Sequence, residues 1–256
     1  MSLVISSKMK NVLQFMLFVV ICTLVFHWLE IIFLGPTGSH IWRQTDSLTI
    51  IQNYYYDHQG FFSPRNSDYR NNFQDITLTE FPILYYISAG IWKLTGEVYW
   101  VPRLLNLSVF LLGFWGLYKI ASNFINNKWL VFSALFLVVC SPSLAHYAPN
   151  FIPNAPAIGL TFVSWYYFIQ FNDTYKNKYL YLGTLLLTIS CLLKVTLLFS
   201  FVILIFIVLY KYWKDRKREM IWRPIFILLF GIFCVYLWID YLHGYNKESA
   251  AGALFE

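Results

Sequence analysis

Hydrophobic positions in this chain come in long unbroken runs separated by short polar breaks. The runs cover roughly residues 11–34, 101–118, 129–145, 152–171, 179–193, 195–210 and 224–241. Several reach the roughly 18–20 residues that cross a hydrocarbon core of about 30 Å. Lipid-facing strands would alternate over much shorter segments. The pattern therefore predicts an all-α polytopic membrane protein with about seven transmembrane helices. Residues 1–256 form a single transmembrane domain.

One long polar interruption, residues 39–82, breaks this pattern, and the ionisable groups able to do chemistry lie largely in it. Gly35-Pro36-Thr37-Gly38 ends the first run. Thr45 is placed to cap a helix over about 45–58, which Gln59-Gly60 then stops. Leu48, Ile51 and Tyr55 give that helix one apolar stripe, so it is expected to lie along the membrane surface. Residues 81–94 are apolar but too short to span, and read as a second surface helix or a partial insertion.

Charge fixes the orientation. With the amino terminus inside, the cytoplasmic breaks hold Lys119 and Lys128, then Lys176 and Lys178, then Lys211, Lys214, Arg216, Lys217, Arg218 and Arg223. Basic residues are retained on the cytoplasmic side. Counting 81–94 as a further span would put the most basic break outside. Residues 35–100 thus form the first extracytoplasmic loop.

Composition agrees. The residues are 58% hydrophobic and 12% charged, about half the charge of a soluble domain. The net charge of +6 sits in short interhelical breaks rather than on one soluble face, which excludes a nucleic-acid partner. Cys22, Cys140, Cys191 and Cys234 lie in apolar runs without metal-site spacing and read as inert thiols. His40, His58, His146 and His243 likewise form no ligand pattern.

The candidate residues are few. Asp46 falls in the first turn of the expected helix, where the positive end of the helix dipole favours a carboxylate. Trp42, Arg43 and Gln44 precede it on the same outer face. Glu80 stands just before the second apolar segment, as a helix-start charge, a second carboxylate or a metal ligand. Lys194 lies at a tight turn between two spans, where a cation either snorkels to the headgroups or holds a phosphate. Arg43, Arg65 and Arg70 offer guanidinium groups suited to phosphate oxygens.

These residues also carry a resemblance. Trp42-Arg43-Gln44-x-Asp46 lies in the first outer loop, and Glu80-Phe81-Pro82 precedes a short apolar segment. Val101-Pro102-Arg103 opens a span, Phe151-Ile152-Pro153-Asn154 follows, and Leu193-Lys194 sits at a later turn. In this order the chain resembles glycosyltransferase family 39, the protein O-mannosyltransferase and aminoarabinose transferase relatives of the GT-C superfamily. The resemblance implies a cell-envelope enzyme that moves a sugar from a polyprenyl-phosphate donor, with inversion, to a hydroxyl of a glycan, lipid or protein acceptor on the extracytoplasmic side. It implies Asp46 as the catalytic acidic residue that orients or deprotonates the acceptor hydroxyl, and Glu80 as the second acidic residue. Arg43, Arg70 and Lys194 would bind the donor phosphate, and Trp42, Gln44 and Asn154 would line the cavity. The implied cofactor is at most a divalent metal at Glu80.

The chain departs from the family pattern in two residues. Asn154 replaces an Asp, and Phe81 replaces a Lys beside the Glu. Relatives are also longer, so a shortened member or an amino-terminal module is expected. The competing readings are a non-catalytic binder of lipid-linked sugars and a flippase. A transporter would place polar groups at mid-membrane and show inverted repeats. Neither is evident in a chain whose ionisable groups gather at one face.

Overall fold

The computed structural model describes residues 7–58, 60–64, 66, 80–214 and 222–248. Among them the regular structure is helical: α1 Ser7–Val25, α2 Trp28–Ile31, α3 Ile41–Tyr56, α4 Ile83–Thr95, α5 Trp100–Phe124, α6 Lys128–Val139, α7 Pro142–Tyr147, α8 Asn154–Thr174, α9 Asn177–Leu193, α10 Phe199–Lys214 and α11 Trp222–Glu248. A 3-10 turn, Val195–Leu198, joins α9 to α10. Two stretches, Trp100–Phe124 and Trp222–Gly244, are long and apolar enough to cross a membrane by length and composition. Asn11–Val25, Lys128–Val139, Asn177–Leu193 and Val195–Lys211 are shorter apolar helical stretches.

Three expected boundaries are corrected. The run 11–34 is not one helix, because His27 takes a left-handed conformation (φ 53°) and turns the chain. That turn seats Trp28 fully in the core, where its indole N–H donates to the Ala145 carbonyl at 3.1 Å. The run 129–145 is divided at Cys140 and Ser141, and α7 restarts on Pro142. α3 begins at Ile41, after a left-handed His40 (φ 54°), four residues before the expected cap. Thr45 is therefore inside the helix, with its hydroxyl bonded back to the Ile41 carbonyl at 3.0 Å. Asp46 then lies in the second turn, past most of the reach of the helix dipole.

α5, α8 and α9 form the centre. At the α5–α8 crossing a Cβ on Gly113 would sit 2.1 Å from Gly159 Cα, so only glycine permits this approach. Close backbone contact through small residues is how helices associate where no hydrophobic effect drives them together. α8 and α9 are joined by hydroxyls, with Ser190 Oγ donating to the Ala157 carbonyl (2.7 Å) and Ser164 Oγ to the Gly183 carbonyl (2.8 Å).

The outer faces are apolar as well. Leu13, Leu17, Leu24, Phe206, Phe226, Phe230 and Phe233 are all exposed, a distribution that hydrocarbon solvates and water does not. A cavity of about 620 Å3 opens between α1 and α6, lined mainly by apolar side chains with Gln14, Lys128 and Ser133. It contains none of the candidate residues of the outer loop.

The breaks separate into two ends. At one, Lys128 Nζ donates to Asn11 Oδ1 (3.0 Å), Lys211 Nζ to Asn172 Oδ1 (2.6 Å) and Arg223 Nη2 to Tyr181 Oη (3.0 Å). At the other, the Phe81 amide donates to the Leu192 carbonyl (3.2 Å) and Tyr241 Oη to the Phe62 carbonyl (2.7 Å). α3 and α4 pack on this second end through Leu48, Ile51, Tyr54, Tyr85, Ala89 and Trp92, against Val101 and Phe151.

Candidate active site

Helix periodicity arranges the α3 side chains. Arg43 and Ser47 are one turn apart on the face turned toward α4. Arg43 Nη2 donates to Glu80 Oε1 at 2.5 Å. The other carboxylate oxygen, Oε2, accepts from Tyr85 Oη at 2.7 Å. Tyr85 spends its proton on Glu80, so Ser47 Oγ, 3.1 Å away, donates to Tyr85. Glu80, Tyr85 and Ser47 are buried and Arg43 is partly open. Arg43 thus has guanidinium N–H groups to spare while one arm is fixed.

The Phe81–Leu192 bond brings the end of α9 alongside Glu80. Two residues on, Lys194 adopts an extended backbone (φ −149°) between α9 and the 3-10 turn. Its charge acts on Glu80 and favours ionisation. Its Nζ makes no hydrogen bond or ion pair among the described residues. Burial raises Glu80 above the ordinary glutamate range, and the Tyr85 hydrogen bond and the Arg43 and Lys194 charges only partly offset it. Burial and the Glu80 charge push Tyr85 well up in turn.

A raised folded-state value means that the folded protein holds this proton more tightly than the unfolded chain. The associated stability is complete below the ordinary glutamate value near 4.5 and is lost as pH rises from there through the higher folded value. We expect the melting temperature of wild type, relative to Glu80→Gln, to fall over that interval. Parallel pH profiles for the two proteins would contradict the raised value.

Asp46 follows Arg43 by three residues and is half-buried. Its carboxylate has no hydrogen bond or ion pair among the described residues. Trp42 is exposed at the start of α3. Gln44 is fully buried and holds the preceding turn. Its Nε2 donates to the Thr37 and Ser39 carbonyls at 2.7 and 2.9 Å, and its Oε1 accepts from the Thr37 amide at 3.4 Å. Asn154 opens α8 with a buried Oδ1 that lacks a partner. Arg65 and Arg70 lie outside the described residues.

The donors around Glu80 do not fit a divalent cation. Both carboxylate oxygens are engaged, two cations stand beside it, and no group of three His, Cys, Asp or Glu side chains able to hold a metal occurs among the described residues.

Sequence reasoning missed three contributors. Tyr85 and Ser47 gave no signal, because each looks like an ordinary helix residue until Glu80 is placed between them. Arg103 had a signal, a charge two residues past the start of a span. It is almost fully buried and donates to the carbonyls of Leu34 (2.8 Å), Gly35 (2.7 Å) and Pro149 (2.7 Å), with Phe151 stacked 4.3 Å from Cζ. It braces the turn before α3 and the loop before α8, and so sets where Arg43 and Asn154 stand.

No match is found among curated proteins or solved structures. A family model described as dolichyl-phosphate-mannose-protein mannosyltransferase matches residues 80–238. The matched region includes Glu80, Tyr85, Arg103, Asn154 and Lys194, and α3 precedes it. With more than half of its length matched, from Glu80 at the site to Trp238 within α11, the chain belongs to the dolichyl-phosphate-mannose-protein mannosyltransferase family.

Proposed function

We propose that the protein transfers a sugar from a polyprenyl-phosphate donor to an acceptor hydroxyl on the extracytoplasmic face of the membrane. Family membership carries the coarse part, a membrane glycosyltransferase. The observation that supports the finer reading is the divided electrostatics of one small region. Glu80 fixes one arm of Arg43, while Lys194, whose charge acts on Glu80, and Asp46 make no side-chain hydrogen bond or ion pair among the described residues.

In this reading the acceptor is a glycan, lipid or protein hydroxyl. Asp46 takes its proton as the oxygen attacks the anomeric carbon. The carbon–oxygen bond to the phosphate breaks, and the electron pair leaves with the polyprenyl phosphate. Lys194 Nζ and the free N–H groups of Arg43, joined by Arg70, neutralise the charge growing on that phosphate. Glu80 holds Arg43 in position. Asn154 Oδ1 accepts from a sugar hydroxyl, and Trp42 flanks the entrance.

The topology belongs to the same proposal. α1, α5, α6 with α7, α8, α9, α10 and α11 run between the two ends as seven membrane crossings of one domain. The end holding Lys128, Lys211 and Arg223 is cytoplasmic. The amino terminus is cytoplasmic, and residues 35–100 form the outer loop at a cell membrane. The exposed apolar faces of α1, α10 and α11 support this path. A flippase gains no comparable support, since the partnerless groups lie at one end rather than at mid-depth.

The test is the anomeric configuration of the sugar before and after transfer, read by NMR on the purified product. A single displacement predicts inversion. Retention would overturn the mechanism, and donor binding without any product would overturn the transferase reading.

A further inference from the structure

The cavity between α1 and α6 lies apart from the candidate active site, and its depth is informative. Phe18 of α1 stands against Phe132 of α6 with ring centroids 6.0 Å apart, and both line it. At the Lys128 end the two helices are bridged, because Lys128 Nζ donates to Asn11 Oδ1 at 3.0 Å. The lining runs along α6 from Lys128 to Leu137, about 14 Å at the helical rise. That is about half of a hydrocarbon core of roughly 30 Å. The volume of about 620 Å3 is therefore one leaflet deep. A partner's transmembrane helix would require a groove through the whole core, whereas a lipid chain requires one leaflet.

The chemistry of the wall narrows the occupant. Lys128, Gln14 and Ser133 supply its polar groups, and none of the described lining residues is acidic. An ammonium has three N–H groups, and the neutral Asn11 takes one of them. Gln14 stands one turn beyond Asn11 on α1. Its Oε1 is buried without a hydrogen-bond partner, and its Nε2 donates to no other group among the described residues. A cation and an amide donor thus share one otherwise apolar cavity. Phosphate and ester oxygens match the two donors, and an acyl chain matches the rest of the lining. Trp129 follows Lys128, lines the cavity and is exposed, as indoles at headgroup level are.

We propose that this cavity binds one anionic glycerophospholipid from the leaflet at the Lys128 end. Lys128 Nζ and Gln14 Nε2 donate to its phosphate and ester oxygens, and one acyl chain lies between α1 and α6 along Ile21 and Leu137. Naming that leaflet cytoplasmic rests on the proposed topology, while the cavity, its depth and its cation do not. The phospholipid is distinct from the sugar donor, which is proposed at the opposite end of the bundle, and takes no part in the transfer. It fills the space that separates α1 from α6.

The experiment titrates the full chain, delipidated in detergent, and counts bound lipid by native mass spectrometry. The probes are phosphatidylglycerol, phosphatidylcholine with the same acyl chains, and a polyprenyl monophosphate. One phosphatidylglycerol per chain should bind about fivefold more tightly than phosphatidylcholine, the preference that one lysine confers for an anionic headgroup. Lys128→Gln should erase that preference and leave phosphatidylcholine binding unchanged. Ser133 is an exposed lining residue, so Ser133→Trp fills the cavity without disturbing the core. It should weaken both phospholipids and spare the polyprenyl monophosphate. Equal binding of the two phospholipids to wild type, a preference that survives Lys128→Gln, or displacement of phosphatidylglycerol by the polyprenyl probe overturns the proposal. A readout in wild type avoids dependence on how the variants fold. Phosphatidylglycerol with a diazirine in its acyl chain, photolysed in proteoliposomes, should label α1 and α6 well above the exposed apolar faces of α10 and α11. Even labelling of all four helices counts against the site. Selective labelling without sugar transfer would leave this site standing and sink the transferase reading, and transfer with even labelling would do the reverse.

Discussion

Asp46→Asn is expected to abolish sugar transfer while leaving donor binding intact. General-base catalysis contributes about 10²–10⁴-fold, so the transfer rate should fall by at least roughly a hundredfold. Asparagine matches the shape of the side chain and cannot take the acceptor proton. The lipid phosphate, held by cations on the other side of the site, should bind within about twofold of wild type, a change of under roughly 0.5 kcal/mol. Among the acidic residues of this region the contrast is with Glu80. Glu80 is buried and bonded at both oxygens, whereas Asp46 is half-buried and uncommitted among the described residues. A base must be free to accept a proton, and Glu80 is not. Transfer by Asp46→Asn at half the wild-type rate would remove Asp46 from the mechanism.

Arg103→Leu is expected to cost most of the stability rather than a step of the chemistry. Leucine fills the apolar part of the space but strands the buried carbonyl of Pro149 and the part-buried carbonyls of Leu34 and Gly35. At about 1–3 kcal/mol for each lost partner, the total is roughly 3 kcal/mol or more, out of the 5–15 kcal/mol that folded proteins hold. For a chain of this size that predicts a fall in melting temperature of roughly 6–12 °C. Arg103→Lys should lie between the two, since one ammonium cannot reproduce the guanidinium fork that meets carbonyls from two separate segments. Melting in detergent, followed by loss of monodisperse protein, measures this directly. An unchanged melting temperature for the leucine variant would show that the brace is dispensable.

The helical frame was legible because long apolar runs have few alternatives. The residues 179–193 and 224–241 expected from hydropathy fall inside α9 and α11, and 152–171 lies in α8 from Asn154 onward. What failed was where local backbone overrode the pattern. His27 and His40 adopt left-handed conformations that no apolar periodicity announces, and they split the first run and moved the start of α3. The site was half legible. Glu80 and Lys194 were singled out as isolated charges, and the structure brings them together through a backbone bond between Phe81 and Leu192 that no spacing could reveal. Gln44 looked like a cavity residue because it precedes Asp46, yet the helical turn points it at the chain's own backbone.

The central claim is that this chain moves a sugar off a polyprenyl phosphate at its α3–α4–α9 end. The most direct measurement uses purified wild-type protein in sealed proteoliposomes of known orientation, with radiolabelled polyprenyl-phosphate sugar and membrane extract as acceptor. Label should pass to the acceptor, with one polyprenyl phosphate released per sugar, only when the acceptor faces the side of Asp46 and Lys194. Label that stays on the bound lipid, or that moves equally well from the side of Lys128 and Lys211, would contradict it.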